Sequence, residues 1–262
     1  MRIRPARIAA GAYEALVYVF VALPTLVVVG ASLNTAELLA FPPRGLTLHW
    51  YGVAFKNTAF MQSLWISLQL AIVATILSLL LAAPAGYALA RYKFRGQAAV
   101  LAILLSPLAV PTVVLAIGLL QLFVVLGLAR TFTGLMIGHV LITLPYVVRN
   151  MTAAFALFDP ALEQAARNLR ASIFQVARRV TVPVMLPSIL SSAIFAFVTS
   201  FGNLTVSIFL TGPRLTTLPV QIFVYVDQSL DPSVAAISAI VIFVTLAVIL
   251  LIERIVGLQR FV

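Results

Sequence analysis

The stretch FDPALEQAARNLRASIFQVARRVTVPVMLPSI, Phe158 to Ile189, is a polar island in an otherwise oily chain. Apolar runs long enough to cross a bilayer flank it, so it is the largest surface offered to one side of a membrane. Leu162, Ala165, Ala166 and Leu169 recur at the spacing of one helix face. Glu163, Arg167 and Arg170 fall on the other face, with Glu163 four residues before Arg167, the favourable order for an ion pair. Asp159 is placed to cap the helix start, and Pro160 suits its first turn. A helix with one greasy side and one charged side is what a membrane protein needs to grip a soluble partner.

Composition sets the class around this island. The hydrophobic fraction is 63% and charged residues are 9%, with a mean hydropathy of +1.13. A soluble domain of 262 residues has no interior large enough for that much apolar surface, whereas a lipid-facing one needs none. With no cysteine, the chain has no disulfide framework, no thiol nucleophile and no cysteine metal site. His49 and His139 are far apart in sequence and make a poor metal constellation, so no metal is expected.

Working outward, apolar stretches of spanning length fall near Tyr13–Leu33, Ser63–Ala90, Ala98–Leu128, Thr133–Phe158, Met185–Leu210 and Val234–Gly257. The expected fold is therefore all-α, a polytopic membrane protein with six transmembrane helices. A single transmembrane domain over 1–262 is expected, with a loop at about 158–187 on one side and loops at about 34–62 and 211–233 on the other. Pro24, Pro84, Pro107, Pro111 and Pro145 should bend the helices they interrupt, and Ser106-Pro107 with Pro111 are candidate break points in the third span.

Lys and Arg set the orientation. With the N-terminus in the cytoplasm, Arg2, Arg4, Arg7, Arg91, Lys93, Arg95, Arg149, Arg167, Arg170, Arg178, Arg179, Arg254 and Arg260 lie inside. Only Arg44, Lys56, Arg130 and Arg214 of the 17 basic residues are then outside, the positive-inside bias. Asp227 and Asp231 are outside, free to meet a partner there. The net charge of +10 is thus mostly a topology signal, and nucleic-acid binding is not expected. Arg2, Arg4 and Arg7 ahead of an apolar run also resemble a signal peptide, with Val29-Gly30-Ala31 as a cleavage site. The run is long for that and Pro24 interrupts it, so a retained first span and two cytoplasmic termini are expected.

Polar residues inside the spans need partners or water. Thr199 and Asn203 are four apart, on one face of the fifth span, and with Ser200, His139 and Thr143 are the candidates for lining a solute pathway. Helix–helix hydrogen bonding is the competing use of such groups, above all for His139.

The polar island also resembles the E-A-A loop of binding-protein-dependent ABC importer permeases, whose pattern runs roughly E-A-A-x-x-L-G-A-S, then V-T-L-P and a further proline. Gln164-Ala165-Ala166 stand over E-A-A, and Leu169, Ala171 and Ser172 over L, A and S. Val180-Thr181-Val182-Pro183 and Pro187 match the end of the pattern. Two residues depart from it: Gln164 replaces the glutamate, with Glu163 one place early, and Arg170 replaces the glycine of a tight turn. Trp50-Tyr51, Ala88-Leu89-Ala90-Arg91 with Phe94-Arg95-Gly96, and Thr211-Gly212-Pro213 with Thr217-Leu218-Pro219 extend the resemblance over most of the chain. The last group is most similar to the second permease of spermidine/putrescine-type importers.

The resemblance implies a type I importer in the bacterial inner membrane. Two permeases, a heteromer for the polyamine type, would form the pathway within the lipid bilayer. A cytoplasmic ABC ATPase dimer would carry ATP and Mg, and a periplasmic solute-binding protein would deliver the solute. The coupling residues carried over are Leu162, Glu163, Gln164, Ala165, Ala166, Arg167, Leu169, Arg170, Ala171, Ser172 and Pro183, with Pro183 and Pro187 fixing the turn into the fifth span. Arg170, lacking glycine's freedom, is expected to extend the helix or present a charge to the ATPase. This chain would bind no cofactor and catalyse nothing, for it has no Gly-rich Lys-Ser/Thr phosphate loop.

The implied solute is a polyamine or a related small organic compound, amino-acid-like or an opine. Glu14 and Glu253 lie near span ends and no other Asp or Glu falls within a span, and Phe201-Gly202-Asn203 is neutral where polyamine permeases carry acidic residues. The rival classes are an ion-coupled secondary transporter, which uses intramembrane acids or repeated halves, and a non-transporting membrane scaffold.

Overall fold

The computed structural model describes residues 5–229 and 231–256. The orientation arguments that use Arg2, Arg4 and Arg260, and Gly257 as a span end, lie outside the described residues, as do the side chains of Arg7 and Glu253. In chain order the helices are α1 (Pro5–Ser32), α2 (His49–Lys56), α3 (Thr58–Arg91), α4 (Gln97–Leu105), α5 (Thr112–Val125) and α6 (Phe132–Leu157). There follow α7 (Pro160–Asn168), α8 (Ile173–Val176), α9 (Val182–Phe201), α10 (Thr205–Leu210), α11 (Leu218–Gln228) and α12 (Ser233–Val256). A 3-10 turn, Ser106–Ala109, follows α4, and a π-helical turn, Ala177–Thr181, joins α8 to α9. Among the described residues β pairing is confined to isolated bridges, Asn34–Leu46 and Gly212–Leu215.

Among the described residues, five helical stretches are long and apolar enough to cross a membrane, including Ile173–Phe201 as one, and a bent pair taken as one span makes a sixth. The bent pair is the third span: Gln97–Ala109 and Thr112–Val125 meet at 102°. Pro111 has no amide hydrogen to give the helix and forces its neighbour out of the helical region, and Val110 is indeed extended at φ −97°, ψ 133°. The helices continue through Pro24, Pro84 and Pro145.

The fifth span ends earlier than expected. It ends at Phe201 rather than Leu210, and Gly202-Asn203-Leu204 separates it from α10. The Asn203 side chain explains the stop, because its Oδ1 accepts from the amide of Val206 at 2.8 Å and so starts a new helix.

The chain divides into two compact units, Met1–Gln62 with Gln221–Leu246 and Ser63–Val220 with Ala247–Val262. In the first, the buried side chain of Asn34 organises the loop after α1. Its Oδ1 accepts from the amides of Ala36 and Arg44 at 3.1 and 3.0 Å, and its Nδ2 donates to Ala40 O at 3.1 Å. Trp50 Nε1 donates to Asn34 O at 2.9 Å, while the Tyr51 hydroxyl pairs with Ser32 Oγ at 2.7 Å. The Trp50-Tyr51 pair therefore pins α2 to the end of α1.

The second unit is built around α6. One apolar cluster gathers Ala82, Val148, Met151, Phe155, Phe158 and Met185, and another gathers Leu70, Leu119, Phe123, Leu135, Val206 and Leu210. At Gly86 an added Cβ would lie 2.8 Å from Met151 Cβ and 2.9 Å from Thr152 N, so the missing side chain is what lets α3 approach α6.

Candidate functional site

The polar island folds into α7, a tight turn, and the helical run that enters α9. Asp159 caps α7, its Oδ1 accepting from Ala161 N at 2.9 Å, with Pro160 at the first helical position. Arg91 at the end of α3 holds this start in place. Its Nη2 donates to Phe158 O at 2.9 Å, and its guanidinium lies 5.1 Å from the centre of the buried Phe158 ring.

The structure divides the charged face of α7, turning Glu163 inward and leaving Arg167 exposed. Glu163 is only 8% exposed, while Leu162 and Ala165 are exposed and Leu169 is 85% exposed. Both carboxylate oxygens of Glu163 accept from hydroxyls of the chain's own helices, Thr181 Oγ1 at 2.6 Å and Tyr87 Oη at 3.1 Å. Glu163 is thus an inward anchor and not part of a charged outer face paired with Arg167. The reason is that a buried carboxylate needs donors, and Tyr87 and Thr181 supply them only on this side. Gln164, Arg167 and Arg170 remain on the exposed side.

Arg170 corrects a second expectation. It does not extend the helix, which ends at Asn168. Arg170 takes the left-handed conformation, φ 61°, that the glycine of the family pattern would take. Its amide donates to Arg167 O at 2.8 Å, and that of Ala171 donates to Ala166 O at 3.1 Å, the paired bonds of a Schellman C-cap. Two carbonyls otherwise lost at the helix end are satisfied this way, which offsets the steric cost of a Cβ there, about 1–2 kcal/mol.

Ser172 then opens α8 with a reciprocal cap. Its Oγ accepts from Gln175 N at 3.3 Å, and Gln175 Oε1 accepts from Ser172 N at 2.8 Å. The Ser-x-x-Gln spacing carried this signal in the sequence. Ile173 and Phe174, 77% and 73% exposed, add to the apolar surface of Leu162 and Leu169. A third expectation is corrected just beyond: Pro183 and Pro187 make no turn. Ile173 to Phe201 is one helical run, with Pro183 in the first turn of α9 and the π-helical residues Ala177–Thr181 before it. The π turn lies directly before Pro183, which has no amide hydrogen to donate back to it, and α9 continues through Pro187.

The candidate pathway residues separate into two groups. Thr199 and Asn203 line a cavity of about 130 Å³ at the elbow of the bent span, with Pro107, Leu108, Val110, Thr112, Leu115, Ile142 and Tyr146. They do not share a helix, since Asn203 lies beyond the end of α9, yet the elbow brings them together. Ser200, His139 and Thr143 are buried instead. His139 Nδ1 pairs with Ser200 Oγ at 2.8 Å and its Nε2 with Ser207 Oγ at 3.0 Å, and Thr143 Oγ1 pairs with Ser78 Oγ at 2.7 Å.

Sequence reasoning missed Tyr146 and Phe195, whose rings are 5.0 Å apart. Tyr146 reaches both the elbow cavity and a neighbouring one of about 250 Å³ lined by Val147, Arg149, Asn150, Ala153, Ser192 and Phe195. The signal available was Pro107-x-x-x-Pro111, which marks the elbow that Tyr146 faces.

On the opposite loop, Asp231 is engaged within the chain. It accepts from Tyr225 Oη at 2.7 Å, from Ser233 N at 2.9 Å and from Ser233 Oγ, and so caps the start of α12. Burial works against its ionisation, but the bonds from Ser233 and Tyr225 outweigh it and hold the carboxyl below its ordinary value. Asp227 is exposed.

Residues 82–260 match the family described as binding-protein-dependent transport system inner membrane component. The spermidine/putrescine transport system permease protein PotC of Haemophilus influenzae is 31% identical over 240 residues, 92% of this chain and 93% of that protein. PotC of Escherichia coli K12 is 29% identical over 244 residues, 93% and 92% of the two chains. A solved bacterial ABC transporter involved in the import of the acidic polysaccharide alginate superposes with a TM-score of 0.75 at 18% identity, covering 97% of this chain and 98% of that one. At that identity the likeness is one of fold. A match over more than half the chain, together with the bent-span helical architecture, makes this multi-pass membrane protein a member of the binding-protein-dependent transport system inner membrane component family.

Proposed function

We propose that this chain is one permease of an ATP-driven importer, driven through α7 and α8. The observation that carries this reading is which side chains α7 and α8 leave exposed. Its acid is spent on the chain's own helices, while Leu162, Leu169, Ile173 and Phe174 stand exposed beside Arg167 and Arg170. An apolar surface rimmed by charge fits a soluble partner better than lipid headgroups. The partner is an ABC ATPase dimer that binds ATP and Mg, leaving this chain without a cofactor. Leu162, Gln164, Ala165, Ala166, Arg167, Leu169, Arg170, Ala171 and Ser172 form the docking surface, and Glu163 and the run through Pro183 join it to the membrane.

The arginines around α7, at 167, 170, 178 and 179, favour a cytoplasmic side for this loop, and with it for both termini. The whole chain acts as one permease domain, with 34–62 and 211–233 facing a periplasmic binding protein. A second, different permease completes the pathway, as expected of the spermidine/putrescine type. The solute is of the polyamine type, or a related small amino compound, and it passes the elbow lined by Thr199 and Asn203. Tyr146 and Phe195 offer aromatic faces to its ammonium groups. The buried His139, Thr143 and Ser200 hold the lining helices together.

Tagged chain extracted in mild detergent should bring down an ATPase and a second permease. Purified with its binding protein in proteoliposomes, the complex should import putrescine only with ATP. Recovery of the chain alone from intact membranes, or import that follows an ion gradient without ATP, overturns the reading.

A further inference from the structure

Glu163 stands where three elements of different mechanical roles meet. It belongs to α7, the docking helix. Tyr87 belongs to the last turns of α3, and Thr181 closes the π-helical turn that feeds α9. The carboxylate is 8% exposed, and each oxygen takes one hydroxyl, at 3.1 Å from Tyr87 and 2.6 Å from Thr181. Thr181 is itself buried at 9% exposure.

Just ahead of α7, Arg91 at the end of α3 holds the Phe158 carbonyl. The opposite face of α7 is exposed. A force applied to that face reaches α3 through Arg91 and Glu163. It reaches α9 through Glu163, beside the apolar packing of Phe158 with Met185 and the chain itself through the Arg170 turn. The π turn matters here because its extra residue per turn sets the rotational phase at which Thr181 enters α9.

We propose that Glu163 is the positioning residue that clamps the docking helix to both α3 and α9, so that a displacement of α7 moves the two membrane helices together. The inference rests on the importer reading. The clamp is made of two hydroxyl hydrogen bonds to one buried carboxyl group, one on each oxygen. Its action needs acceptor and donor atoms at these positions, not the negative charge. Glutamine keeps one oxygen for Tyr87 and offers an amide to the Thr181 oxygen, whereas alanine keeps neither bond.

Two measurements on the full chain test the clamp, with variants E163A, E163Q, Y87F and T181V. The first uses nitroxide labels at the exposed Asn168 and Lys93 in lipid nanodiscs, and it needs no ATPase. The distance distribution should broaden in E163A and stay narrow in E163Q. The second uses the assembled complex in proteoliposomes. There the stimulation of ATP hydrolysis by loaded binding protein should fall about tenfold in E163A and several-fold in Y87F and T181V, with E163Q near wild type. The subunits should still co-purify. Y87F and T181V remove single hydroxyls and keep most of the packing, so they carry the test if E163A does not accumulate.

A narrow distribution and intact stimulation in E163A, Y87F and T181V overturn the clamp while leaving the importer reading standing. So does E163Q behaving as E163A while the hydroxyl variants are neutral, since the charge would then be the active feature. Failure of the wild-type chain to recruit an ATPase overturns the importer reading instead, and the label distances still decide whether Glu163 clamps α7.

Discussion

Arg91, in the last turn of α3, binds Phe158 twice: Nη2 donates to its carbonyl at 2.9 Å, and the guanidinium lies over its ring at 5.1 Å. The carbonyl is at the end of α6, where no further helical amide follows, so the arginine satisfies a group that would be orphaned. The same contact fixes the point from which α7 departs.

Arg91→Lys keeps the charge but loses the planar fork that reaches carbonyl and ring together. Loss of a charged hydrogen bond and a cation–π contact should cost about 2–4 kcal/mol locally. Limited proteolysis between residues 157 and 172 should therefore be faster in Arg91→Lys than in wild type. Equal cleavage rates would show that Phe158 is held by its packing alone.

Arg170 leads to a prediction of the opposite sign. It occupies a left-handed C-cap that costs a side chain about 1–2 kcal/mol. Arg170→Gly should relieve most of that cost, less the entropy glycine loses on folding, for a net gain of about 1 kcal/mol. The gain should appear as a higher melting temperature of the purified chain, with α7 still ending at Asn168. A lower melting temperature would mean that the Arg170 side chain makes contacts worth more than the strain.

How much of this could be read from the residues depends on which physical term decided each feature. The spans were legible because a run of apolar side chains of that length has few other homes, and the elbow was legible in Pro107 and Pro111. Asp159 and Pro160 announced α7 by local capping chemistry. Glu163 was not legible, because spacing gives the two faces of a helix but not which face meets the protein. That choice was made by Tyr87 and Thr181, 76 and 18 residues away. The end of α9 was hidden for a related reason. Leu204 to Leu210 is as apolar as the helix before it, and only the Asn203 side chain turning back to Val206 starts the chain afresh.

Asp231 and Tyr225 give a pH dependence on the other loop. Asp231 is held below its ordinary value of 3.8, so its contribution to stability is present above that pH and is lost as pH falls through the lowered value. Tyr225 is pushed above 10.0, first by burial and then by the Asp231 carboxylate. Its contribution is present below that pH and is lost as pH rises through the raised value. Between these limits the capped start of α12 should be insensitive to pH. Melting temperature followed from neutral pH down toward pH 3 should drop more in wild type than in Asp231→Asn, because asparagine has no ionised form to lose. Parallel curves would show that the pair adds no pH-dependent stability.

Asn203 offers a direct test of what passes the elbow. Its side chain caps α10 through Oδ1 and also lines the 130 Å³ cavity with Thr199 and Tyr146. Aspartate caps a helix about as well as asparagine, so Asn203→Asp adds a negative charge with little effect on the fold. A charge a few ångströms from a passing ammonium group, in surroundings of effective dielectric about 20, is worth a few kcal/mol of attraction. Uptake of radiolabelled putrescine by proteoliposomes should then saturate at lower concentration and, with the cation held longer, turn over more slowly. Thr199→Val, which removes a polar atom from the same wall, should lower turnover without tightening saturation. If Asn203→Asp leaves both parameters at the wild-type level, the solute does not touch the elbow, and its path runs instead along the Tyr146–Phe195 face of α6 and α9.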